Sequence, residues 1–347
     1  MKTSVTLFVL MFILLVPGLS QVQGQDIAMQ AFELRMNGNP DSAKALLAKS
    51  VQQYPDSARI WFEYGRCIDW TKTDDCTKFI HVYSKMNPRL KAAKRCMRKA
   101  VKLEPDNARY RYWAGQVQGV LGLASIYTPW RWPLIRCTFR QSTKQLRRAV
   151  ALDPDNPQYR YDLVNFEHFG WLLAGNTKNA KLHTDTLDKL DPVFGVMARE
   201  LLKDKKNPYD QIAGFRALIT PDSANIDLMN ELAFAYRLKI REDSTYRDSA
   251  MVCYQRVLQI DPGNETAMKE FSRLAAKRGE PDLLPYINAY LEVRKNDYGY
   301  YRAPALRLLA GQMEKKGMKE EAEHLREEAK QLNPKNNSSF LKDLEKP

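Results

Sequence analysis

The sequence predicts an all-α fold, an α-solenoid of stacked helix–turn–helix repeats, and three observations predict it. The stretch AVKLEPDNARYRYW at Ala100–Trp113 returns as AVALDPDNPQYRYD at Ala149–Asp162, 49 residues later. A proline-centred join of the same kind recurs at Pro55, Pro105, Pro154, Pro192, Pro221, Pro262 and Pro334. Twelve positions before six of those prolines stands a small residue: Ala43, Ala93, Ser142, Ala180, Ala250 and Ala322. Apolar residues make up 44% of the 347, enough for a sizeable core and too many for a disordered chain.

Each join follows from local chemistry. The residue before a proline is pushed out of the α region, so a helix ends there. An Asn or Ser two residues after the proline (Ser57, Asn107, Asn156, Asn264 and Asn336) can accept from the free amides of the next turn and start a new helix. A second small residue, five positions before the proline, appears at Ser50, Ala100, Ala149 and Ala329. Small side chains at fixed helical positions let two helices come close. One such pair cannot bury its own apolar stripe, so the units are expected to stack on one another.

The first helix of each unit has its own spacing: Trp61-x-x-Tyr64-Gly65-x-x-Ile68, Met229-x-x-Leu232-Ala233-x-x-Tyr236, and Leu306-x-x-Leu309-Ala310-x-x-Met313. This resembles the tetratricopeptide repeat family, a 34-residue helix–turn–helix unit. The copy at Arg302–Asn336 fits best, and Tyr110–Leu201 is similar to secreted bacterial proteins of that family. The proline spacing departs from 34 residues: 50 from Pro55 to Pro105, 49 to Pro154, 38 to Pro192 and 29 to Pro221. Two units therefore carry insertions of about fifteen residues, expected as longer helices or an added turn, and one unit is short. About seven units are expected over residues 25–336, with a short charged tail at 337–347.

The resemblance implies a binding scaffold without a single defined activity. In the family the first helices line a ligand groove, which here places Arg59, Phe62, Arg66, Arg109, Tyr112, Gln116, Gln158, Tyr161 and Asn165 along it. A basic and aromatic groove suits an extended peptide with acidic or C-terminal groups. Phe and Tyr stand where one subgroup of the family clamps a C-terminal carboxylate with Lys, so that clamp is not expected.

Residues 1–24 read as a signal peptide. Lys2 supplies the charge, and Val5–Val16 is apolar apart from Thr6, too short to span a bilayer. Pro17 and Gly18 break the helix, and cleavage is expected after Gly24. The expected destination is the periplasm or the exterior, with an uncleaved N-terminal membrane anchor as the alternative. Five cysteines leave at least one unpaired. Cys67 and Cys76 are the nearest pair, Cys137 follows, and Cys96 and Cys253 fall on apolar helix faces as buried thiols.

The net charge of +13 is concentrated. Residues 85–150 hold sixteen Lys and Arg against Glu104 and Asp106, while the rest of the chain after the leader is close to neutral. Lys91, Lys94, Arg95, Arg98, Lys99 and Lys102 share one helix face, and Arg140, Lys144, Arg147 and Arg148 share another. Between them Trp130, Arg131 and Trp132 form a Trp-Arg-Trp link bracketed by Pro129 and Pro133. These residues form a basic ridge, and the alternative function is binding of an anionic polysaccharide or lipid headgroup there.

Catalysis is not expected. The four histidines, His81, His168, His183 and His324, lack ligand spacing, and no phosphate-cradling Gly-rich loop or activated nucleophile is visible. No cofactor and no metal are expected, and nucleic acid is not expected as a partner after export. The sequence thus predicts a non-catalytic scaffold that holds a protein or peptide partner.

Overall fold

The computed structural model describes residues 23–69, 79–126, 132–168, 176–203, 211–219, 225–278, 284–296 and 299–334. Residues 1–22 (most of the expected leader), Cys76, the Trp130–Arg131 pair, the join at Pro221 and the tail 337–347 lie outside them. Every described element is a helix. The chain divides into two compact units, Met1–Asp153 and Pro154–Pro347.

The first unit holds α1 (residues 23–36), α2 (Pro40–Gln53), α3 (Ala58–Asp69), α4 (Phe79–Leu103), α5 (Ala108–Ile126) and α6 (Trp132–Leu152). The second unit holds α7 (Pro157–His168), α8 (Thr177–Leu190), α9 (Pro192–Leu202), α10 (Ile212–Leu218) and α11 (Ile226–Lys239). It continues with α12 (Tyr246–Ile260), α13 (Glu265–Arg278), α14 (Leu284–Val293), α15 (Gly299–Lys315) and α16 (Lys319–Leu332). Within each unit, the substantial helix–helix contacts join elements adjacent or one removed in chain order. The sixteen described helices form eight consecutive pairs, one more than the proline joins suggest. The extra join lies between α14 and α15, where residues 294–298 contain no proline.

The joins are built as local chemistry demands. Asn107 Oδ1 accepts from the Tyr110 amide at 3.2 Å, Asn156 Oδ1 from Tyr159 at 3.2 Å, and Asn264 Oδ1 from Ala267 at 3.0 Å. Asp191 caps α9 through Val193 and Phe194, at 2.9 and 3.2 Å. A second bond closes three of the joins. Trp61 Nε1, Arg111 Nε and an Arg160 guanidinium nitrogen donate to the carbonyls of Pro55, Pro105 and Pro154, at 2.8, 2.8 and 2.7 Å. Each donor stands six residues beyond its proline, so the first turns of the new helix are tied back to the end of the old one.

The small residues lie where the helices meet. Ala43, Ala93, Ser142, Ala180, Ala250 and Ala322 are all fully buried. Opposite them the first helices are also bare. A Cβ on Gly65 would stand 2.7 Å from Met97 Cε and 3.2 Å from Cys96 Cβ, and one on Gly115 would stand 2.8 Å from Leu146 Cγ. Ser142 Oγ uses this proximity to donate to the Gly115 carbonyl at 2.7 Å.

The inserted residues are helix. α4, α5 and α6 run for 25, 19 and 21 residues, against 14 for α2 and 12 for α3. The extension is packed: Phe139 of α6 covers Gly122 of α5, where a Cβ would approach its ring to 2.9 Å. The short unit is α9 with α10, of 11 and 7 residues.

α1 already includes Gln23 and Gly24, and Gln23 Oε1 accepts from the Tyr54 hydroxyl at 3.1 Å. Cleavage after Gly24 would remove that bond. The described cysteines are free thiols. Cys67 and Cys96 are buried and Cys137 is exposed, whereas Cys253 is only half-buried, a correction to its expected burial. Its side chain packs at the margin of the second unit's core.

Two measurements test this packing. Ala93→Leu or Ser142→Leu should each lower the unfolding free energy by about 1–3 kcal/mol in urea titrations, because neither contact has room for a larger side chain. Burial pushes the Cys67 thiol up to about 12 and the Cys96 thiol up to about 11. A thiol whose pKa is raised on folding stabilises fully below its unfolded value near 9, and that contribution is lost as pH rises through the folded value. Stability should therefore fall between pH 9 and about 12, and iodoacetamide at pH 8 should label Cys137 while Cys67 and Cys96 stay protected until urea unfolds the chain.

Candidate functional site

Two surfaces of the first unit gather the residues of interest. One is made by the first helices of its pairs, α1, α3 and α5. Arg35 of α1 pairs with Glu63 of α3 at 3.1 Å, both nearly fully buried. Such a pair sets the register of the two helices, since either charge alone would be left uncompensated in the core. Next to it, a guanidinium nitrogen of Arg59 approaches Met29 Sδ at 3.8 Å.

Between α3 and α5 the contacts are cation on ring. The Arg66 guanidinium lies 3.4 Å from the centroid of Trp113, and Tyr112 meets Trp113 edge-on at 5.5 Å. The exposed Arg109 sits 5.1 Å above Phe62. Contacts of this kind contribute roughly 0.5–2 kcal/mol each and hold the guanidinium in place. Arg59, Arg66, Tyr112 and Gln116 are half-buried, as residues lining a shallow surface would be.

Phe62 does not face that surface. It is 1% exposed and stacks on Tyr110 at 4.7 Å, so it belongs to the core. The physical reason is rotation of α3: Ala58, Phe62 and the Gly65 backbone must face α4 for Ala93 and Met97 to pack. Burial, followed by the nearby Glu104 carboxylate, pushes the Tyr110 hydroxyl up to about 12, so it stays protonated within this stack. Trp113, half-buried at the margin of this core, carries the Arg66 contact instead. Its signal in the sequence was position, since it follows Tyr112 and lies one helical turn beyond Arg109.

Tyr161 and Asn165 belong to α7 of the second unit. Tyr161 packs on Phe194 of α9 at 5.6 Å and Asn165 is half-buried, while Gln158 donates to Asp162 at 3.1 Å.

The second surface is the basic ridge on α4 and α6. Lys91, Arg95, Arg98, Lys102, Arg140, Arg147 and Arg148 are all exposed, while Ala93, Met97, Ala100, Leu146 and Ala149 of the same helices are buried. Trp132 is the first residue of α6. Polar contacts engage parts of the ridge, among them Lys94 with Gln141 at 3.4 Å, Lys99 with Asp56 at 3.7 Å, and Arg148 with Asp106 at 2.7 Å. Burial and then the neighbouring Arg98 charge lower the pKa of Lys94, a sign of how crowded the cations are. Among the described residues no group of three His, Cys, Asp or Glu is placed to hold a metal, and no helix is long and apolar enough to cross a membrane.

Residues 26–67, which run from α1 through α2 into α3, match the family model of the tetratricopeptide repeat. The chain carries a tetratricopeptide repeat. The matched copy is the one that supplies Arg59 and Arg66, whereas motif spacing placed the best copy at the C-terminus. No curated protein matches the sequence. Among solved structures, YrrB, a tetratricopeptide repeat protein with an unusual peptide-binding site, shares 13% identity over 72% of this chain and 93% of its own, with a TM-score of 0.27. The C-terminal part of a tetratricopeptide repeat-containing protein from Cytophaga hutchinsonii shares 14% identity over 92% of this chain and 100% of its own, with a TM-score of 0.31. The human IFIT1 dimer with m7Gppp-AAAA shares 14% over 90% and 92%, with a TM-score of 0.32. Superpositions at these scores carry no argument about this chain.

Proposed function

We propose that this repeat protein is an exported, non-catalytic scaffold that holds an extended segment of a protein partner against α3 and α5 of its first unit. The observation that carries the reading is the Arg66 guanidinium seated on Trp113 with Tyr112 at its edge. The rings of Trp113 and Tyr112 with Arg66 beside them offer apolar contact to a side chain, and the exposed Arg109 offers a donor to a carboxylate, the two things a peptide with acidic or C-terminal groups needs. Arg59 and Arg109 extend the same chemistry along the helices. Aromatic and Arg residues in such settings commonly dominate binding energy, which makes Trp113 and Arg66 the expected anchors.

Panning a displayed peptide library on the purified protein tests the reading. Selected peptides should bind at least tenfold more weakly to Trp113→Ala and Arg66→Ala, and with little change to Arg95→Glu combined with Arg98→Glu. Failure to select any peptide, or equal loss in the ridge variant, rejects this face as the binding surface.

Export is supported by the charged start and twelve-residue apolar stretch at Val5–Val16. N-terminal sequencing of the protein recovered from its native cell should start near Gln25. A chain that keeps Met1 and sediments with membranes would show an anchor in its place.

A further inference from the structure

The ridge is not flat. α4 and α6 both pack on α5, and where they flank it there is a hollow of about 600 Å³. Five cationic side chains line it: Arg95, Arg98, Lys99 and Lys102 from α4, and Arg111 from α5. No carboxylate does. The acids nearby in sequence are engaged elsewhere: Asp106 pairs with Arg148 at 2.7 Å, and Glu104 accepts from Asn107 at 3.0 Å. Asp56, itself largely exposed, reaches Lys99 at 3.7 Å.

One feature distinguishes this hollow from a merely solvated basic face. Arg111 is braced, with Nε donating to the Pro105 carbonyl at 2.8 Å and one terminal nitrogen donating to Gln145 Oε1 at 2.9 Å, so its charge is held in place at the wall of the hollow. Gln118 lines the same hollow at 3% exposure; its amide oxygen, an acceptor, has no hydrogen-bond partner and takes no part in anion binding.

The volume indicates what would fill it. A water occupies about 30 Å³ of liquid, so the hollow has space for roughly twenty, far more than a single tetrahedral oxyanion displaces. Five positive charges also exceed what one phosphate dianion neutralises. Planar guanidinium forks from Arg95 and Arg98 suit phosphate oxygens in pairs, and Arg111 and the two ammonium groups add fixed and mobile positive charge. We infer that the hollow between α4 and α6 binds a compact polyanion carrying two or more phosphate groups. The inference is independent of the peptide face, which lies on α3 and α5 around Trp113.

Calorimetric titration of the purified protein with inorganic tripolyphosphate, beside orthophosphate at the same ionic strength, tests it. Tripolyphosphate should bind with one-to-one stoichiometry and at least tenfold more tightly than orthophosphate. Replacing Arg95, Arg98 and Lys102 together by Ala should weaken it at least tenfold without moving the thermal midpoint of the free protein, since all three side chains are exposed. Removing the same charge from α8, with Lys178, Lys181 and Lys189 replaced by Ala, should change affinity less than twofold. No tripolyphosphate binding at millimolar concentration in low salt, equal loss in the α8 variant, or equal affinity for orthophosphate each overturns the inference. Vesicles carrying a bisphosphorylated inositol headgroup separate the sources. Binding that tripolyphosphate competes assigns the phosphates to a lipid, lack of vesicle binding assigns them to a free polyphosphate, and uncompeted binding equal to that of phosphatidylserine vesicles overturns the site.

Discussion

The close approach of the two helices within each pair is the constraint on which the rest of the structure depends. Ala93 faces Gly65, and Ser142 faces Gly115 closely enough to donate to its carbonyl. Helix axes packed over small residues sit near the short end of the usual 8–10 Å range. At that separation the larger side chains on either side, Phe62, Met97 and Leu146, fill the space between pairs. A wider spacing would leave those residues without partners and open the core between neighbouring repeats.

The same constraint explains how the long helices create function. Lengthening α4 and α6 around α5 keeps the small residues in register and adds packed turns beyond them, such as Phe139 over Gly122. Their outer positions then become free for charge. The two surfaces of the first unit use Arg in opposite ways. On α3 and α5 the guanidinium groups of Arg66 and Arg109 rest on rings, which fixes them. On α4 and α6 the cations stand together with few acids between them, so their field adds.

Much of this was legible in the chain. Ser57, Asn107, Asn156 and Asn264 marked helix starts because capping depends only on groups two or three residues apart. The buried small residues were legible because steric exclusion at a fixed distance from the join repeats at six of the seven proline joins. The join between α14 and α15 was not, since it lacks the proline that marks the others. Phe62 was assigned to the ligand-facing side because its position in the motif usually faces outward, and the rotation of α3 that buries it is set by Met97 and Cys96 of another helix. Trp113 went unnoticed for the complementary reason: its role depends on Arg66, 47 residues earlier.

What the sequence alone determined, then, was helical content, the joins, the pairing of helices, the excess of charge on α4 and α6, and the positions that must be small. These rest on hydrogen bonds and excluded volume within a few residues, which any local segment carries with it. Tertiary structure decided which aromatic meets which guanidinium, that the α4 stripe and Arg111 of α5 line one hollow, and that Gln118 is buried at its wall. Those outcomes depend on distances between residues such as Arg98 and Gln145, which belong to different helices. Only the packing of α4, α5 and α6 brings such residues to one cavity.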